Sequence, residues 1–163
     1  HYQAFQVIDA AHEGPAASHA RRMALEFLAE DGVDMRRVTI PGAILPDIIL
    51  SNALMTDSDL RNTNFTDAHL ENAWLSGAKL DSANLSNAHL QGADLREADL
   101  SNAVLDGADL RGADLREANV EKTSFIGADL RGAKLFMVQN SETMRLNKAK
   151  LAGAFMPNGR RHR

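Results

Sequence analysis

The chain has 163 residues and a formal net charge of -4, from 18 Lys plus Arg and 22 Asp plus Glu, a length suited to one domain. It contains no cysteine, which excludes disulfides, thiolate metal sites and cysteine nucleophiles together. Aromatic residues are only 5% against 44% apolar overall, so the core must be aliphatic, and no apolar run approaches the length of a membrane-spanning helix.

The first residue is His1 rather than Met, which predicts a processed or trimmed piece. Residues 2–12 read as a helix carrying Tyr2, Phe5 and Ile8 on one side, broken at Gly14-Pro15. A second helix is predicted to run to about Asp31. Its apolar stripe is Ala20, Met23, Ala24, Phe27 and Leu28, and Gly32 is its stop. This segment, residues 1–32, is expected to lie as a cap across the chain that follows it, near Met35 and Ile40.

From Val33 to Met137 the chain divides without a gap into 21 pentapeptides. All 21 third residues are apolar, 15 of them Leu, and 15 of the first residues are Ala. Five residues turn an α-helix through about 500°, which would scatter the Leu side chains over its whole surface. On a flat strand an odd period would send alternate Leu to opposite faces. The period is satisfied if the first residue points in, the second out and the third in, and the last two turn a corner. Such a corner needs φ > 0 at its second central residue, which Gly and Asn tolerate. The fifth positions agree, with Gly77, Gly92, Gly107, Gly112, Gly127 and Gly132 beside Asn52, Asn62, Asn72, Asn87 and Asn102. Four corners close one coil in 20 residues and stack the third positions into interior columns such as Leu50, Leu70, Leu90, Leu110 and Leu130. Each buried Leu contributes ~1.5–3 kcal/mol before conformational entropy is counted. A bore filled this way holds no pocket.

Written out as ADLRE (93–97), ADLSN (98–102), ADLRG (108–112) and ADLRE (113–117), the pattern resembles the pentapeptide repeat family, whose motif is A(D/N)LXX. The resemblance implies an all-β solenoid, a right-handed quadrilateral β-helix. HYQAFQVIDAA (1–11) and RRMALEFLAEDGV (21–33) resemble the segment preceding the repeats in some bacterial members, which often carry membrane-spanning helices further upstream. The placements this implies are the bacterial cytoplasm or a membrane-associated domain. Some family members imitate duplex DNA, bind DNA gyrase and shield it from quinolones.

After Met137 the register slips. Residues 138–143 read as a loop insertion, and MRLNK, AKLAG and AFMPN then restore the repeat to about residue 158, for about six coils and a rod ~30 Å tall. MPNG (156–159) resembles the MPDG that closes several bacterial members, with Asn158 in place of Asp. Residues 159–163 read as a basic tail. Charge is strongly divided, since residues 1–130 carry 10 basic and 21 acidic side chains and residues 131–163 carry 8 and 1. Arg160, Arg161 and Arg163 crowd the tip. Two readings stand for them: a solvated tail whose deletion leaves the fold intact, or a contact surface.

No motif sets up catalysis. GADLRGAK (127–134) lacks the lysine of a phosphate loop, and both its glycines are corner residues. NFT (64–66) and NLS (84–86) match a glycosylation sequon as by-products of the repeat. His69 and His89 stand one coil apart on one face, with Asp109 and Asp129 continuing their column. Side chains of neighbouring strands run parallel rather than converging, so no metal and no cofactor are expected there. Trp74 is outward, either a binding anchor or covered by the N-terminal cap or a crossing loop. With Asp94, Asp99, Asp109, Asp114 and Asp129, and with Arg160, Arg161 and Arg163 at the tip, it makes up the candidate interaction surface. The expected function is a non-catalytic protein–protein interaction or scaffold module. The alternative is a DNA mimic acting on gyrase or another DNA-binding protein through acidic faces. A protein partner is expected and direct nucleic-acid binding is not. Self-association is compatible with the pattern, and membrane association would need an upstream segment or the basic tail.

Overall fold

A computed structural model describes residues 1–10 and 15–163. The expected end of the first helix at residue 12 and the Gly14 half of the break lie outside the described residues. Helix α1 is Tyr2–Ala10 and helix α2 is Pro15–Glu30, with proline in the first-turn position where its missing N–H costs nothing. Gly32, at φ 62, ends α2, with Gly32 N–H donating to Ala29 O and Val33 N–H to Leu28 O. This pair of bonds is the Schellman arrangement, which only a left-handed residue permits.

The rest of the chain is a β-helical solenoid. Each pentapeptide contributes one bridged residue, its second, paired in parallel with residues 20 earlier and 20 later, as in Trp74 with Leu54 and Asp94. The sides of the coil are therefore ladders one residue wide rather than extended strands. Around Leu90 the bonding reads in full. Leu90 N–H donates to Asp109 O and Gly92 N–H to Arg111 O of the next coil; Asp109 N–H returns to Ala88 O; Ala93 N–H closes the turn onto Leu90 O. The fifth residue of each turn lies at φ > 0 throughout residues 37–137. Gly and Asn occupy many of these corners, but Glu97, Glu117, Lys122 and Met137 adopt the same conformation. The inter-coil bonds hold them there against a cost of roughly 1 kcal/mol.

Third-position side chains from Met35 to Leu135 are at most 1% exposed. Where a hydroxyl replaces the first-position Ala, it is buried and donates to a carbonyl of the coil below: Thr123 Oγ1 to Leu100 O at 2.7 Å, Thr63 Oγ1 to Ile40 O at 3.3 Å. Buried polar groups of this kind are tolerated because they are bonded.

α2 closes the first coil, and its docked face differs from the expected one. Ala24, Leu25 and Leu28 are buried, while Met23 and Phe27 are about half exposed. On α1, Ile8 is buried, Phe5 is half-buried and Tyr2 is exposed. The first coil has no coil beneath it, so its edge groups need other partners. α2 supplies two: Arg22 donates to Pro46 O, and Glu26 accepts from Ile49 N–H at 3.0 Å.

At the other end the pairing offset changes from 20 to 21, between Asn119–Gln139 and Ser124–Arg145. The extra residue is absorbed around Asn140, at φ 59, and a short 3₁₀ turn, Ser141–Thr143. Thr143 Oγ1 accepts the Lys122 N–H that the displaced backbone leaves behind. The last residues are not a free tail. Arg161 pairs antiparallel with Phe155, His162 N–H donates to Ala154 O, and Gly153 N–H donates to His162 O.

Candidate interaction surface

The outward second positions form four columns. Leu54, Trp74, Asp94, Asp114 and Lys134 stand on one, and Asp59, Lys79, Asp99 and Asn119 on the next. Asn64, Asn84, Val104 and Ser124 follow, and His69, His89, Asp109 and Asp129 complete the circuit. The five candidate aspartates are thus split over three faces and do not converge on one point.

Four of the five are held by their own repeat. In each ADLR unit the Arg two residues on folds back as a two-pronged clamp. Arg96 meets Asp94 at 2.6 Å, Arg111 meets Asp109 at 2.7 Å, and Arg116 and Arg131 meet Asp114 and Asp129 at 2.6 Å. The Arg backbone N–H adds a bond to the same carboxylate, as from Arg96 to Asp94 Oδ1 at 3.2 Å. Spacing explains the motif: in an extended segment residues i and i+2 share a face, and the turn that follows brings the guanidinium within bidentate reach. The guanidinium beside each of Asp94, Asp109 and Asp129 holds its carboxyl below the usual carboxylate range. For Asp114 burial pulls upward, but Arg116 and Lys134, the latter at 3.3 Å, outweigh it and the net direction is down. Asp99 has no such clamp; it accepts from Ser101 N–H and Asn119 Nδ2.

Much of the remaining acid sits at corners. Asp57, Glu97 and Glu117 lie in one fifth-position column beside the Trp74 face, and Asp47 and Asp67 lie in another. The clamps balance charge on the faces, and at the fifth positions up to residue 137 the five carboxylates outnumber Arg37 and Lys122.

His69 and His89 stack face to face, with ring centroids 4.7 Å apart and 4° between planes. Parallel rings cannot aim nitrogens at a common point. His69 Nδ1 bonds Glu71 at 3.1 Å, and Ser51 donates to Glu71 at 2.6 Å. Burial works against the Glu71 charge, yet these bonds hold its carboxyl below its usual value. Among the described residues no three His, Asp or Glu side chains gather as a metal site, and no helix is long and apolar enough to cross a membrane.

Trp74 is 55% exposed and stands in its column between Leu54 and the clamped Asp94. Arg160, Arg161 and Arg163 are exposed at the C-terminal end, where the Arg161 guanidinium lies 6.0 Å from the Phe155 ring centre. Sequence reasoning passed over the exposed Ile44 and Ile49 of the first coil and the cations Arg145, Lys148 and Lys150 of the last. The departure of Ile44 and Ile49 from a polar second position was the available signal.

A family model described as pentapeptide repeats matches eight copies, over residues 34–72, 50–81, 83–121 and 103–136. Among solved structures, the chain is similar to a pentapeptide repeat protein from Nostoc PCC 7120, with 41% identity and a TM-score of 0.44. That match covers 53% of this chain and 66% of the Nostoc chain, just under two thirds of its length. It is also similar to the pentapeptide repeat protein Rfr23 from the cyanobacterium Cyanothece 51142, at 22% identity over 81% of this chain and 92% of that one, with a TM-score of 0.40. QnrB1, a plasmid-mediated fluoroquinolone resistance protein, matches at 16% identity over 76% of this chain and 81% of its own, with a TM-score of 0.36. No curated protein sequence matches the chain.

Proposed function

Because the chain belongs to the pentapeptide repeat family, we propose that it is a non-catalytic interaction or scaffold module, a rigid rod whose charge-balanced faces present Trp74 and the Asp–Arg ladders to a protein partner. The finer architecture belongs to this reading: a right-handed quadrilateral β-helix of about six coils, residues 33–158, under a helical cap, residues 1–32. The observation that carries it is the filled bore. With the third positions from Met35 to Leu135 at most 1% exposed, the body of the solenoid can offer chemistry only on its outside. No cofactor is invoked. A photo-crosslinking residue at Trp74 should give a discrete protein adduct in the native cell; no adduct from any of the four faces would overturn the reading.

A second reading, duplex-DNA mimicry toward gyrase or another DNA-binding protein, draws on the acidic corners Asp57, Glu97 and Glu117. The clamps weigh against it, because a mimic needs a continuous negative field and each ADLR aspartate is neutralised within its own repeat. A gyrase supercoiling assay separates the two. The scaffold reading expects no inhibition; inhibition lost in a Glu97→Gln, Glu117→Gln variant would install the mimic.

A further inference from the structure

From Met35 to Leu135 every third-position N–H donates to the coil above, as do most fifth-position N–H groups, with Lys122 N–H bonded to Thr143 Oγ1 and only Glu117 and Met137 lacking an acceptor among the described residues. In the final coil Leu146, Lys148 and Leu151 N–H have no partner among the described residues. The chain's last turn covers only the neighbouring stretch, through the bonds at Gly153, Ala154 and Met156. Along the same open edge the interior columns surface, so Leu146 and Leu151 are half-buried where Phe125 and Leu130, one coil below, are fully enclosed. Arg145 and Lys148 flank the edge, exposed and without an ion pair among the described residues. Lys150 stands beside them, 3.9 Å from Asp129. Free N–H donors, half-exposed leucines and a cationic rim thus share one stretch of backbone, residues 144–151.

We propose that this edge is a docking site for an acidic, leucine-bearing segment of a protein partner. The first coil shows the chemistry in place: there a carboxylate, Glu26, accepts the free Ile49 N–H while Leu25 and Leu28 cover the bore. An occupant of the last coil needs the same two elements, with more negative charge because its rim is basic. A second copy joined through the same end is disfavoured, since residues 131–163 carry 8 basic and 1 acidic side chains and like ends repel. The inference stands apart from the reading of the faces, which it neither uses nor requires.

The test uses the full chain and a fluorescein-labelled peptide of alternating glutamate and leucine. Anisotropy should show binding that weakens steeply with salt. Hydrogen exchange should show the Leu146, Lys148 and Leu151 amides, fast in the free protein, slowing when the peptide is present. Arg145→Glu with Lys148→Glu should lower affinity by at least roughly tenfold, with an unchanged melting temperature. Lys79→Glu, an exposed charge reversal on a face, should leave it unchanged. Equal loss in Lys79→Glu, no slowing of the three amides, or binding to phosphatidylserine vesicles without binding to the peptide would each overturn the proposal. The vesicle result would assign the rim to lipid instead. Since these readouts follow only the 144–151 edge, they are separate from crosslinking at the faces.

Discussion

The two ends of the solenoid meet the same physical problem in different ways. At the N-terminal end α2 lays Ala24, Leu25 and Leu28 over the bore, satisfies edge groups at Pro46 and Ile49, and leaves Met35 and Ile40 at most 1% exposed. At the C-terminal end a turn of a few residues covers one side, and Leu146, Leu151 and Met156 stay half-buried. A repeat fixes its interior but not its ends, because each coil is buried by its neighbours and a terminal coil lacks one of them. Stability should therefore be high in the middle, high at the capped end and low at the open one.

The largest test of that ordering is a charge placed in the bore at different heights. Leu110→Asp puts a carboxylate between Leu90 and Leu130 with neither water nor a cation, a cost of several kcal/mol that should abolish cooperative unfolding by circular dichroism. Leu151→Asp, half-buried beside Lys150, should remain folded. If both variants fold, or both fail, the inward third position or the open end has been misjudged.

Next in size is the cap. Leu28→Ala removes a fully buried side chain from the α2 contact and should cost about 2–4 kcal/mol in a denaturant titration. Leu146→Ala at the open end should cost about 1 kcal/mol. Equal costs would mean that α2 covers the bore without stabilising it.

How much of this contrast the sequence disclosed depends on what sets each feature. The repeat was legible because translational symmetry writes one environment 21 times. The left-handed corners were legible through Gly and Asn, and they hold even at Met137, where propensity alone would not place them. The docked face of α2 was not. Apolar residues flank both sides of the helix, and the fit to the first coil selected Leu25 over Met23 and Phe27. The path of the C-terminal residues was not legible for a related reason, since charge content cannot tell a chain that leaves from one that turns back. The column of His69, His89 and Asp109 was placed correctly from spacing, but the stacking of its rings became visible only with side-chain rotamers. An open strand edge is defined by what does not lie above it, so Leu146 and Lys148 look like any other repeat residues.

Deleting residues 159–163 tests the partial cap. It removes the bonds to Gly153 and Met156 and the one from His162 to Ala154, each worth about 1 kcal/mol net, offset by the freedom returned to five residues. A loss of roughly 1 kcal/mol and a fall of a few degrees in melting temperature should follow. An unchanged melting temperature would restore the view of these residues as a solvated tail.

The smallest expected effect separates the body from the open end by acid. Asp94, Asp109, Asp114 and Asp129 all titrate below the ordinary carboxylate range in the folded chain. A depressed folded value means that the carboxyl binds its proton more readily when unfolded. The stabilisation is therefore complete above the unfolded value of about 3.9 and is lost as the pH falls through the lower folded one. Because the paired guanidinium groups are 36–50% exposed, solvent screening keeps each contribution small. Melting temperature should thus decline by only a few degrees between about pH 5 and pH 2 on account of these pairs. Asp114→Asn, which removes the carboxylate facing both Arg116 and Lys134, should flatten that decline more than Asp109→Asn. Hydrogen exchange locates the change. The Leu95 and Leu110 amides, which bond to Asp114 and Asp129 carbonyls, should lose protection in acid, while Leu146 and Leu151, unbonded at every pH, should follow only the intrinsic exchange rate. Acid-sensitive protection at residues 144–151 would mean that the edge is closed by carboxylates of its own, and the difference between the two ends would shrink to the presence of a helix.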